Sequence, residues 1–164
     1  MSCGLPAAPR RRQLLIAGAA TLVLALAGCA SSGGLSSSSL FELRGATTVP
    51  TQGWIKVRNP QSPGGDLYLA PRAALDASDV QRATAQKDAA GRAVLVLQFS
   101  PVGTLRLAAA SRELQGKQLA ALLEGQVVNV VSVQGNMSIN TMALTGLASF
   151  EDAVRLAHQL SPRQ

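Results

Sequence analysis

Sulfur and imidazole are scarce in this 164-residue chain, which has two cysteines and one histidine. A transition-metal site that draws its ligands from several Cys and His side chains cannot be assembled from so few. Cys3 and Cys29 both precede the part that looks folded, so the domain has no disulfide framework to expect. Aromatic residues are 3% of the chain, too few to build a base-stacking platform for single-stranded nucleic acid. No serine sits in a G-x-S-x-G elbow, and Gly116-Lys117 lacks the upstream glycine spacing of a phosphate loop. His158 borders the apolar face of a helix pattern and reads as a packing residue. Glu151-Asp152 reads as helix-end electrostatics rather than an acid/base pair. These shortages point away from an enzyme, a cofactor and a metal. The formal charge of +6 misleads, because Arg10, Arg11 and Arg12 lie in a separate N-terminal segment. The remainder, from Cys29 on, has 12 basic and 9 acidic residues, a mildly basic surface and not a nucleic-acid footprint.

What is present begins with that N-terminus. Leu14 to Gly28 is a 15-residue apolar run behind three arginines. A membrane-spanning helix takes about 20 apolar residues, so the run is short for a span. It fits the core of a cleavable signal peptide over residues 1–28. A short anchor that stays uncleaved is the alternative. Leu26-Ala27-Gly28-Cys29 resembles the bacterial lipobox, in which small residues precede a lipidated cysteine. The resemblance implies a thioether-linked diacyl group on Cys29, cleavage before it, and a further chain on the new amino group. One acyl chain holds a protein to a membrane only marginally, whereas two or more hold it stably. No Asp follows Cys29, which by resemblance to sorted lipoproteins favours the outer membrane over the inner one. Arg11-Arg12-Gln13-Leu14-Leu15 also fits a twin-arginine core, so the export route stays open. Residues 29–40 then read as the lipidated Cys followed by a Ser/Gly tether, with an r.m.s. reach of roughly 20 Å.

The rest divides into an N-terminal strand extension over 41–63 and a domain over 64–160. Phe41 to Thr48 is an expected strand. Ile55 and Val57 alternate with Trp54, Lys56 and Arg58, which is strand period. Asn59 to Gly65 is turn chemistry, and Asp66 to Ala70 reads as a return strand. Asp76 caps an expected helix that runs to about Lys87, with Leu75 stapled onto Val80. Ala93 to Phe99 is apolar enough for a strand covered on both faces. Ser100-Pro101 opens a helix that ends at Gly116. Gln118 to Leu123 and Gln126 to Val133 flank Glu124-Gly125 as a hairpin. Ser138 to Leu144 gives another strand, and Ser149 caps a last helix. The order β-β-α-β-α-β-β-β-α predicts an α+β two-layer domain, a mostly antiparallel sheet with about three helices on one face.

Residues 64 to 160 resemble the head subdomain of the periplasmic domain of SecD, a membrane subunit of the bacterial Sec export machinery. Gly65 to Leu69 is similar to its first strand, and Asp76 to Ala83 to its "ssDv..A" pattern. Asp88-Ala89-Ala90-Gly91, Gly103, Gly116 to Ala120 ("GkxLA") and Glu124 to Val127 ("DGxV") follow in register. Leu144-Thr145-Gly146 with Ala153 to Leu160 completes it. The chain departs at Asn129-Val130-Val131-Ser132, where the family has a Ser-Ala-Pro-type stretch. SecD's transmembrane helices and their proton-coupling acid have no counterpart in the sequence, so the expectation is one module and not the motor. The resemblance implies contact with exported polypeptide or Sec translocase subunits. A physical route is strand addition at an exposed edge of the 118–144 meander, where Asn129, Val131, Ser132 and Asn140 are the candidate contacts. The alternative is a structural or assembly lipoprotein of the envelope with one fixed protein partner.

Overall fold

Phe41–Thr47, buried from Phe41 to Ala46 and paired along both sides, is the first strand, β1, of a computed structural model that describes residues 39–161. The expected signal, Cys29 and nearly all of the tether fall outside that range. Seven more strands follow: β2 (Ile55–Arg58), β3 (Asp66–Asp76), β4 (Val80–Lys87), β5 (Ala93–Phe99), β6 (Gln118–Leu123), β7 (Gln126–Ser132) and β8 (Thr141–Leu144). The helices are α1 (Pro101–Glu113), between β5 and β6, and α2 (Phe150–Leu160) after β8. The class is α+β, and every strand pair is antiparallel.

The strands form two sheets where the sequence suggested one. The larger has the order β2-β3-β1-β6-β7 and the smaller β4-β5-β8. The main core lies where they meet. Phe41, Leu43, Leu75 and Leu119 from the larger sheet join Leu95, Leu97, Phe99 and Leu144 from the smaller. Phe41 and Phe99 stack tilted across that junction, 6.2 Å apart. Leu107 of α1 and Leu156 and Leu160 of α2 complete the cluster. The opposite face of the larger sheet holds a second cluster of Ala46, Leu67, Leu69, Ala120, Leu122 and Val130.

Two helices are present among the described residues, not about three. Residues 76–87 are where the sequence reading fails. Its start signal is real: Asp76 accepts from the Ser78 N–H at 2.8 Å, and Asp79 accepts from the Asp76 N–H at 3.1 Å. The box caps only a single 3₁₀ turn, Ala77–Asp79, and the chain then extends as β4. A bulge between Val80 and Arg82 puts Val80 and Ala83 on the same buried side, three residues apart. That spacing imitates a helix face. β5 is also covered on one face only. Leu95, Leu97 and Phe99 are buried, whereas Gln98 is exposed and Val94 and Val96 are half-buried.

Other signals land where expected. Ser100 accepts from the Gly103 N–H at 3.0 Å, and Ser149 from the Asp152 N–H at 3.0 Å, capping α1 and α2. Glu124 and Gly125 both have positive φ, 48° and 79°, so the β6–β7 hairpin closes in a type I′ turn. β3 runs past Ala70 and through Pro71, because that proline sits in a bulge opposite Gly45.

Candidate functional site at the sheet edges

Two open sheets leave four edge strands, and an edge is where backbone N–H and C=O groups stay free to pair. On β2 the edge carries exposed Lys56 and Arg58, with Lys56 bridged to Asp66 at 2.8 Å. On β4, Ser161 takes both groups of Ala83: its Oγ accepts from the Ala83 N–H and donates to the Ala83 carbonyl, each at 3.2 Å.

β7 carries three of the four candidate contacts. Asn129 and Val131 are half-buried and Ser132 is exposed. Its edge is interrupted. The register shifts between the partners Ala121 and Leu122, which leaves Val128 as an extra residue. Gly146 lies so close to the Val128 carbonyl that a Cβ there would stand 3.2 Å from it. The Asn129 side chain accepts from Gln61 Nε2 at 3.2 Å. Ser132 borders a polar groove with Thr47, Thr48 and Lys117. Gln118 also lines that groove, and its Oε1 is buried with no hydrogen-bond partner among the described residues.

Asn140 does not join this set. It is exposed at the start of β8, and β8 belongs to the smaller sheet. The expected 118–144 meander is therefore split: β6 and β7 pair with each other, and β8 pairs with β5.

The charged side chains mostly serve the scaffold. Glu42 and Arg44 form a buried pair on β1, and Arg44 also donates to the carbonyls of Ala70 (3.0 Å) and Pro71 (2.7 Å) in the β3 bulge. Burial pushes the Glu42 carboxyl up. The hydrogen bonds from Arg44 and Ser39 and the Arg44 charge outweigh that and hold it below its ordinary value. Asp79 is buried at the corner between the sheets and is bridged by Arg106 at 3.0 Å. Neither pair stood out in the sequence, since nothing local marks a charge as buried. A shallow groove of about 500 Å³ runs between β3 and α1, lined by alanines such as Ala70 and Ala109 and by the charged Arg72, Asp76, Arg106 and Glu113. His158 is exposed on α2. Among the described residues no group of three or more His, Cys, Asp or Glu is placed to hold a metal. No helix among them is long and apolar enough to cross a membrane.

Fold and edges together define a strand-rich α+β module with two open antiparallel sheets. Residues 53–162 match the model of the SecDF P1 head subdomain, and the chain belongs to that family. It is 28% identical over 96 residues to the protein translocase subunit SecD of Sebaldella termitidis, 58% of this chain and 23% of that one. The chain thus spans under a quarter of that relative's length. Among solved structures it is similar to a membrane component SecDF described as enhancing protein export. The TM-score is 0.57 at 22% identity, covering 74% of this chain and 61% of that one. A SecDF in a super-membrane-facing form matches with a TM-score of 0.56 at 22% identity, over 74% and 18% of the two chains. At that identity both likenesses speak for the fold.

Proposed function

We propose that this protein is a non-enzymatic accessory of protein export, held at the periplasmic side of a membrane by lipid on Cys29 and touching extended polypeptide through a sheet edge. Membership of the SecDF P1 head family supports the export role. The polypeptide contact is carried by one observation: both sheets end in strands with partners on one side only. The lipid anchor rests on the lipobox-like Leu26 to Cys29, and the absence of Asp after Cys29 favours the outer membrane. Sec translocase subunits are the second class of partner.

A photo-crosslinking residue at Ser132 or at Asn140, in living cells, tests the reading. A ladder of many exported proteins, or of Sec subunits, is the expected result. A single discrete envelope protein would instead mark a structural lipoprotein with one fixed partner.

A further inference from the structure

We infer that the outer edge of β8, from Thr141 to Leu144, is the strand that an extended, uncharged polypeptide segment joins. This rests on the polypeptide-contact reading and says where that contact is made.

The direction of the backbone groups is fixed by one hydrogen bond. The Asn140 carbonyl accepts from the Phe99 N–H at 2.7 Å, so Asn140 faces β5. Alternation along the strand turns Met142 and Leu144 to β5 as well. Thr141 and Ala143 then present their N–H and C=O groups outward. No strand among the described residues pairs with that side of β8. The side chains of Thr141 and Ala143 are exposed, whereas Met142 and Leu144 are buried and anchor the strand.

The other three edges are guarded in the usual ways, by charge, bulge or cover. β2 has Lys56 and Arg58. β4 has its bulge and Ser161. β7 has its bulge, Gly146 and the Gln61 contact. β8 has none of these. It is unbulged in its pairing with Leu95 to Gln98, and no charged residue occurs from Gly125 to Phe150. Across the same face, Thr141 lies beside Gln98 and Arg82, and Ala143 beside Val96 and Thr84. Arg82 is the one charge in that patch, which suits a segment without charges. Lys87, Arg92 and Glu151 line a pocket with Thr145, just past the end of the strand. Among the described residues, three of the four exposed large apolar side chains also lie at this end: Ile139, and Val102 and Leu105 on the first turns of α1. They adjoin the start of β8, because Asn140 bonds to the residue just before the α1 cap.

A second copy of the chain is the weaker occupant. Stable interfaces between proteins bring about 20–30 residues a side, and β8 offers four. A polypeptide in transit needs no such area, and four residues of edge span about 14 Å of extended chain.

The test places benzoylphenylalanine at Thr145 or at Ser132 in the full chain in cells, with products identified by mass spectrometry. Each probe is repeated with Ala143→Pro, which removes an outward N–H and leaves the ladder to β5 intact. Ala143→Lys serves as a second variant should the proline unfold the domain, judged by thermal denaturation. We expect many polypeptides at Thr145, with yields falling at least fivefold in the β8 variants, and weaker products at Ser132. Strong products at Ser132 with none at Thr145 would overturn the β8 assignment and leave the polypeptide reading standing. So would Thr145 yields indifferent to both variants. A product that is only a second copy of this chain would also overturn the assignment. One fixed protein at both positions, or no product at either, would overturn assignment and reading together.

Discussion

Gly103 and Gly45 both sit where a Cβ would collide, and what it would collide with differs. At Gly103 the nearest atoms are the Asp79 carbonyl oxygen at 2.7 Å and the Asp79 Cβ at 2.9 Å. Neither can retreat. That carbonyl accepts from the Ser100 N–H at 2.8 Å, and the Asp79 carboxylate is held by Arg106. At Gly45 the nearest atom is a Leu114 methyl at 2.8 Å, the end of a side chain that can turn. Alanine at Gly103 gains up to about 1 kcal/mol of helix propensity, against about 1–3 kcal/mol of overpacking. At a net cost of about 1 kcal/mol, Gly103→Ala should therefore lower the melting temperature by about 3–6 °C. Gly45→Ala should lower it less, and the reverse order in thermal denaturation would sink the argument. Glu42 adds a pH signature. Its folded pKa is depressed, so its contribution is present above the unfolded value of about 4.3 and is lost as pH falls through the folded one. Asp76 acts in the same direction, through the hydrogen bonds of Ser78. Melting temperatures should fall below about pH 4.5, and Glu42→Gln should flatten that acid limb. An unchanged acid limb in the variant would remove Glu42 from the account.

Ser161 shows how one hydroxyl closes an element. It is the C-cap of α2 and also satisfies the outward N–H and C=O of Ala83. A net hydrogen bond contributes about 0.5–1.5 kcal/mol. Ser161→Ala should cost about 1 kcal/mol and speed hydrogen exchange at the Ala83 amide, with exchange in β5 unchanged. Protection at Ala83 equal to that of the parent would show that the edge is covered some other way. The caps of α1 and α2 and the Glu124-Gly125 turn were legible in the sequence, because each depends on residues within four positions. β4 was not. Its bulge set Val80 and Ala83 at helical spacing, and the pairing with β5 that makes it a strand begins six residues further on, at Ala93. The candidate contacts divided for the same reason. Asn129, Val131 and Ser132 share an edge because they share a strand, whereas Asn140 went to another sheet by pairing next to β5. Which edge lies open is decided by long-range neighbours: Gly146 and Gln61 on β7, Ser161 on β4. A period of two or 3.6 residues carries no record of them.

The family match begins at residue 53, yet the strand that joins the two halves of the larger sheet begins at Phe41. β1 pairs with β3 on one side and β6 on the other along nearly its whole length. Phe41 and Leu43 enter the main core, and Ala46 enters the second cluster. Arg44 supplies the donors that the carbonyls of Ala70 and Pro71 require. Removing one buried Phe or Leu side chain costs about 2–5 kcal/mol, and a whole domain is stable by about 5–15 kcal/mol. A chain of residues 53–161 loses two such side chains and Ala46. It also leaves β3 and β6 as bare edges facing a gap the width of one strand. It should show no dispersed amide spectrum and no cooperative thermal transition. A chain of residues 39–161 should show both, in a single transition, because Phe41, Phe99 and Leu160 share one core across both sheets and α2. A cooperative transition in the shorter chain would mean that β3 and β6 can close on each other. β1 would then be an addition to the head module rather than its centre.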